Sequence, residues 1–119
     1  MIIKVKDIID TAFSLDDAEK LSAIIKDSLG KLKSDEETID IDFNEVRYFT
    51  TLFFNNAIVK YVGEIGVGEF VKRFNCVNLS NVGKTTYLHS LENGKEYYSL
   101  SEDERNLFDE VLRQNELDD

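Results

Sequence analysis

The chain has one cysteine, one histidine, no tryptophan and no proline among its 119 residues. Cys76 cannot form an internal disulfide by itself, so we expect a protein of a reducing compartment. Together with the lone His89, it is too little for the His and Cys clusters that bind structural zinc. Acidic pairs at 16–17 and 36–37 are typical of a helix start and a loop. We therefore expect neither a metal nor a cofactor.

Long apolar runs and positive charge are also scarce. No run approaches the roughly 20 residues of a membrane-spanning helix, and the first residues, MIIKVKDIID, lack a signal-peptide pattern. Only 14 Lys and Arg stand against 24 Asp and Glu, which gives a formal net charge of −10. This charge argues against nucleic acid or an anionic membrane as the main partner. It is compatible with a soluble protein that meets a basic protein surface, and the single cysteine predicts a cytoplasmic location.

What is present suffices for a single domain over residues 1–119 with a real core. Short β-branched and apolar runs predict strands at 2–5, 38–43 and 74–79. Apolar residues at helical spacing predict the intervening and final helices, which we place at 14–32, 51–66, 80–91 and 101–114. Ser14 should cap the first helix, Ser101 and Glu104 should form a capping box at the last, and residues 44–49 and 92–98 are predicted as turns. The resulting order, β-α-β-α-β-α-α, predicts an α/β fold with a mostly parallel sheet and helices packed against it.

The register of the middle strand follows from its alternating pattern. Ile39, Ile41 and Phe43 share one face by the period of two and should be buried, which places the strand in the interior of the sheet. Asp42 should lie at its carboxyl end, near the following helix. In that helix the apolar side chains define a core face formed by Phe53, Phe54, Ala57, Ile58, Tyr61 and Val62. In the last helix, four apolar residues should pack inward, namely Leu107, Phe108, Val111 and Leu112.

The stretch from residue 39 to residue 62, IDIDFNEVRYFTTLFFNNAIVKYV, is the most informative part of the chain. Asp42 ends a strand, Val46 follows four residues later, and an apolar pair precedes two threonines that open a helix. This arrangement resembles the signature of STAS domains, the fold of bacterial anti-sigma-factor antagonists. It is still more similar to the STAS-like family of unknown function, whose members read DFxxVxxIxxSFxxE or a close variant.

The resemblance implies a binding function controlled by phosphate. Thr50 occupies the position of the Asp of the STAS motif, and Thr51 that of the phosphorylated Ser. Thr51 is therefore the candidate phosphoacceptor, with Thr50 as the alternative, and Asn55 and Val59 on the same helical face would border the partner surface. The partner implied is a protein such as an ATP-binding kinase or an anti-sigma-type regulator, and the chain would not be an enzyme. A threonine at this place is also an ordinary helix cap.

A second segment, VNLSNVGKTT, has some features of a phosphate-binding loop. Gly83, Lys84 and Thr85 follow a predicted strand and open a predicted helix, as such a loop requires. Asn78 stands where that motif has its first glycine, and no acidic strand for Mg²⁺ follows. The alternative functions are therefore a nucleotide or phosphate binder that uses this loop, and a structural interaction subunit without a switch. The oligomeric state is not predicted by the sequence.

Overall fold

A computed structural model describes the backbone of residues 1–118 and the side chains of residues 1–111. Its main sheet is parallel and consists of strands β1 (Ile2–Lys4), β3 (Ile39–Asp42) and β5 (Phe74–Val77), in the order β1-β3-β5. The predicted α/β class and the interior position of the middle strand are confirmed. The predicted register is also confirmed, because three alternate side chains of this stretch are buried, namely Ile39, Ile41 and Phe43.

A second, two-stranded parallel sheet pairs β2 (Thr11–Ala12) with β4 (Arg47–Phe49). The sequence predicted only a turn in the region of β4 and no strand at β2. Both strands are too short for an alternating pattern, and their pairing joins segments that are far apart in the chain. The small sheet matters for the site because the backbone N–H of Thr50, directly after β4, donates to the carbonyl of Ala12 at 3.1 Å.

Helix α1 (Leu15–Lys31) was predicted correctly from its cap and its apolar stripe. Its cap is Ser14, whose Oγ accepts a hydrogen bond from the backbone N–H of Asp17 at 3.1 Å. The other helices are α2 (Thr51–Phe54), a π-helical turn (Asn55–Val59), α3 (Tyr61–Ile65), α4 (Val67–Arg73), α5 (Asn81–Ser99) and α6 (Glu102–Asp118). Within the described residues, none of these helices is both long enough and apolar enough to cross a membrane.

The helical stretch 51–65 lies in the middle of the molecule, with α1 on one side and α5 on the other. Its six predicted core residues are all buried, as expected. The π-helical turn buries three successive side chains, Ala57, Ile58 and Val59. Three consecutive positions on a helix point in different directions, so this stretch is enclosed by neighbours on more than one side.

Helix α5 continues through residues 92–98, where the sequence predicted a turn. The dipeptide Asn93-Gly94 is a common turn signal, but here Gly94 is buried inside the helix. A Cβ atom at Gly94 would collide with the side chain of Val59. Glycine is therefore required at this position because α5 approaches the helical stretch 51–65 closely. It does not mark a turn of the chain.

Helix α6 differs from the prediction in its packing, although its cap was correct. The hydroxyl of Ser101 accepts from the backbone N–H of Glu104 at 3.2 Å, and the Glu104 carboxylate accepts from the backbone N–H of Ser101 at 3.5 Å, which forms the expected capping box. The apolar residues beyond it do not pack inward. Leu107, Phe108 and Val111 are all exposed, and Leu112 lies outside the side chains that the structure describes.

Candidate protein-docking site at the start of helix α2

Thr50 holds the start of helix α2 in place. Its Oγ1 accepts a hydrogen bond from the backbone N–H of Phe53 at 3.1 Å, and it donates to the carbonyl of Phe13 at 2.8 Å. The first bond satisfies one of the free N–H groups at the helix start, and the second joins the helix to the segment after β2. Because the hydroxyl serves as donor and acceptor within the fold, Thr50 has a structural role as the helix cap.

Thr51 is the first residue of α2, and its side chain is partly exposed. No acidic side chain lies in the first turn of this helix. Free backbone N–H groups and the positive end of the helix dipole favour negative charge at such a position. The geometry is therefore compatible with phosphate on Thr51, and phosphorylation stays a prediction.

Three large apolar side chains are exposed around the two threonines. Phe13 is 59% exposed, Tyr48 is 69% exposed and Leu52 is 50% exposed. Phe13 provides the carbonyl that Thr50 binds, and the other two lie two residues before and after Thr50. We call these three residues together with Thr51 the α2-start surface. Phe13 was not predicted to lie at this place, because the β2–β4 pairing that brings it there was not predicted.

The predicted continuation of this surface along the helix is wrong at Val59. Val59 is only 2% exposed and packs against Gly94 of α5. Asn55 is exposed, but its side-chain oxygen accepts a hydrogen bond from the hydroxyl of Ser90, also in α5. Helix α5 therefore covers this face at Val59, which the sequence placed at the border of the partner surface, and leaves Thr51 and Asn55 accessible.

Asp42 lies at the carboxyl end of β3, as predicted, and connects this strand to the loop after β5. Its Oδ1 accepts from the side-chain amide of Asn78 at 2.9 Å and from the backbone N–H of Asn44 at 2.9 Å. The Asn78 amide and then the Asn44 N–H stabilise the charged carboxylate and hold the pKa of Asp42 below its usual value. Asp42 thus fixes the edge of the sheet from which the loop to α5 departs.

Comparison with known proteins agrees with this arrangement. Residues 17–84, more than half of the chain, match the family described as a STAS-like domain of unknown function, DUF4325. The chain belongs to this family. No curated protein and no solved structure gives a significant match. The matched residues include most of α1, the main-sheet strands β3 and β5, and the whole of the helical stretch that starts at Thr51.

In this STAS-like domain the segment VNLSNVGKTT forms the start of α5 and not a wrapped loop. Only residues 78–80 separate β5 from α5, and Ser80 caps the helix by accepting from the N–H of Gly83 at 3.1 Å. A Cβ on Gly83 would lie 2.8 Å from the ring of Phe49, so glycine is needed here for packing. The hydroxyl of Thr85 donates to the carbonyl of Asn81 at 3.0 Å, and Lys84 is exposed.

Cys76, the single cysteine of the chain, lies in β5. Burial raises the pKa of the Cys76 thiol to about 12, and burial is also the main cause of the raised pKa of Tyr87 beside it. A thiol with this pKa is almost wholly protonated near neutral pH and is a poor nucleophile. Among the described residues, no group of three or more His, Cys, Asp or Glu side chains is arranged to hold a metal ion.

Proposed function

We propose that this STAS-like domain is a regulatory protein that binds a partner protein through the α2-start surface, and that phosphate on Thr51 ends the binding. The observation that carries the proposal is the group of exposed side chains formed by Phe13, Tyr48 and Leu52 beside a partly exposed hydroxyl at a helix start. Large apolar side chains that cluster on a surface are typical of interaction sites. The proposed function is binding and not catalysis.

The resemblance to anti-sigma-factor antagonists supports an ATP-binding kinase or an anti-sigma-type regulator as the partner. The net charge of −10 favours a partner whose docking face is basic, because charges of opposite sign speed the encounter and disfavour wrong partners. An apolar centre on that face would cover Phe13, Tyr48 and Leu52.

Phosphate on Thr51 would act at the interface and not on the fold. It adds about 1.5 to 2 negative charges at one point, directly beside Leu52 in the chain. A partner that covers Leu52 would have to bury this charge without a counter-ion, which is costly. The helix start itself tolerates the charge, because an acidic group in the first turn is favourable by about 0.3–1 kcal/mol.

Two matched substitutions of Thr51 test the docking claim. Thr51→Glu adds a charge, and Thr51→Gln adds a side chain of nearly the same size without one. We expect Thr51→Glu to weaken binding of the partner co-purified from the host by roughly tenfold or more, whereas Thr51→Gln should weaken it much less. Calorimetric titration gives the affinities, and thermal melts should show both variants folded. Equal affinity of wild type and Thr51→Glu would contradict the proposal.

A separate experiment tests the switch. The domain is incubated with the purified partner and ATP, and the phosphorylated residue is located by peptide mass spectrometry. We expect phosphate on Thr51 and none on Thr50, because the hydroxyl of Thr50 is engaged by Phe53 and Phe13. Thr51→Ala should still bind but remain unmodified. If binding depends on residue 51 but no phosphate is transferred, the proposed docking surface stands and the proposed switch is wrong.

A further inference from the structure

Helix α6 carries large apolar side chains that remain exposed to solvent. Leu107 is 63% exposed, Val111 is 48% exposed and Phe108 is 46% exposed. Leu107 and Val111 are four residues apart, so they are neighbours on one face of the helix, and Phe108 lies beside them. Helix α6 also lies outside the part of the chain that matches the STAS-like family, which ends at Lys84. Because its members are exposed, this apolar stripe needs an explanation of its own.

In the part of α6 whose side chains the structure describes, Tyr97 joins the helix to α5. The hydroxyl of Tyr97 donates to both carboxylate oxygens of Asp109, at 3.1 and 2.9 Å, and its ring contacts the ring of Phe108 at a centroid distance of 5.6 Å. A cleft of about 660 Å³ lies between α6, α5 and the helical stretch 51–65. Val59, Tyr98 and Phe108 are among the residues that line it. The apolar stripe and this cleft meet at Phe108 and form one continuous surface.

The charges along the stripe decide what kind of partner can cover it. Asp103 and Glu110 are four residues before and three residues after Leu107, and are thus its neighbours on the helix surface. Both are exposed. Residues 102–111 carry five acidic side chains and the single basic Arg105. A second copy of this chain would place like charges opposite one another, which is unfavourable in a symmetric dimer.

We propose that α6 is a second docking element, which lays the stripe formed by Leu107, Phe108 and Val111 into an apolar groove of a partner protein whose rim carries Lys or Arg. Amphipathic helices that enter such grooves use anchors at positions i, i+3, i+4 and i+7. Val111 lies four residues after Leu107 and three after Phe108, so two of these spacings occur here. The basic rim would pair with Asp103 and Glu110. The residues of this site are different from those of the α2-start surface.

A photo-cross-linking amino acid at position 107 tests the proposal in the full chain. Asn106 provides the matched control, because it is exposed and lies about 100° around the helix from Leu107, on the side away from Phe108 and Val111. We expect cross-links from position 107, and few from position 106, to one protein whose cross-linked peptide is rich in Lys or Arg around apolar residues. Cross-links to a second copy of the chain, or equal cross-linking from both positions, would overturn the proposal.

The captured protein is then purified, and its affinity is measured by calorimetry against three chains. Leu107→Glu should weaken binding by roughly tenfold or more. Asn106→Glu places the same charge beside the acidic rim and should not weaken it, and the affinity of the wild type should fall as salt is raised. Because both positions are exposed, neither change should unfold the domain. Equal binding by Leu107→Glu and wild type would overturn the proposal. If Thr51→Glu weakens binding of this protein and Leu107→Glu does not, the protein binds through the α2-start surface and not through α6.

Discussion

Helices α2 and α5 begin in similar ways and differ in what surrounds their first turns. Each follows a strand, and each is capped by a hydroxyl, Thr50 or Ser80, that accepts from an N–H three residues later. Around the start of α2, large apolar side chains are exposed. At the start of α5, Val82 alone is exposed among the large apolar side chains of the first turn, and Gly83 next to it is buried against the ring of Phe49. A cap therefore shows only where a helix starts, and the side chains around it show whether that start can meet a partner.

The ring of Phe54 connects the two helix starts and should give the largest effect. It stacks on Phe49 at a centroid distance of 5.8 Å and contacts Tyr87 of α5 at 5.2 Å. We expect Phe54→Ala to lower the free energy of unfolding by about 3–5 kcal/mol, measured by urea denaturation. Leu52→Ala, in the same helix but at the exposed surface, should change it by no more than about 0.5 kcal/mol. Similar losses for both would show that Leu52 is part of the core.

Gly83 and Gly30 allow the same substitution to be compared in two helices. A Cβ on Gly83 would lie 2.8 Å from the ring of Phe49 and 3.1 Å from Leu79, whereas a Cβ on Gly30 would meet nothing within 4 Å. Gly30→Ala should stabilise the protein by about 0.5–1 kcal/mol through helix propensity. Gly83→Ala should destabilise it by about 1 kcal/mol, because overpacking exceeds that gain. Stabilisation by both substitutions, in thermal or urea melts, would mean that Phe49 moves freely.

The two threonines should differ in their effect on stability. Thr50→Ala removes the cap and the bond to Phe13 and should cost about 1 kcal/mol of unfolding free energy. Thr51→Ala removes a hydroxyl that is partly exposed and should cost clearly less. Urea denaturation of both variants gives the difference. If Thr51→Ala were the more costly change, its hydroxyl would be needed by the fold and would be a poor choice for modification.

The parts of the fold that were predicted correctly depend on local patterns. Ser14 and Ser101 were identified as caps because their partners lie three residues away. The register of β3 followed from alternation over a few residues. The apolar face of the central helix followed from its period of 3.6. In each case the information lies within one short segment, so no knowledge of the rest of the molecule was needed.

The parts that were missed depend on contacts between distant segments. Val59 looked like a surface residue because nothing in its own helix shows that α5 covers it. Gly94 looked like a turn for the same reason, although it permits that close approach. The stripe on α6 showed the opposite error, because an amphipathic pattern indicates that a face is apolar but not what covers it. The candidate site was half predicted: Thr51 came from the sequence, and Phe13 required the structure.

The loop that leads to α5 should give a smaller effect, visible as a change in the pKa of Asp42. The Asn78 amide and the Asn44 N–H lower this pKa, so the interaction stabilises the fold above the ordinary Asp pKa of about 3.9 and is lost as pH falls through the lower folded value. Asn78 has a positive φ of 61°, and Asn78→Gly removes the amide while it permits that conformation. The pKa of Asp42, measured by NMR titration, should rise in Asn78→Gly. It should remain unchanged in Asn75→Ala, because the side-chain amide of Asn75 donates to Asp40 and not to Asp42.

The smallest expected effect is that of nucleotides on the start of α5. A phosphate-binding loop wraps several backbone N–H groups around the phosphates, and the loop here has only residues 78–80 between strand and helix. The N–H of Gly83 is already bonded to Ser80, and the hydroxyl of Thr85 is bonded to a carbonyl of its own helix. We therefore expect ATP and GTP at millimolar concentration to leave the melting temperature unchanged.

The melting experiment is sensitive enough to decide this question. A ligand present at 100 times its dissociation constant would stabilise the folded state by about 2.7 kcal/mol, which would move the melting temperature by several degrees for a domain of this size. Lys84→Ala is the matching control, because Lys84 is exposed and should not affect the melt without nucleotide. A shift with ATP that disappears in Lys84→Ala would make the start of α5 a binding site and would reverse the contrast between the two helices.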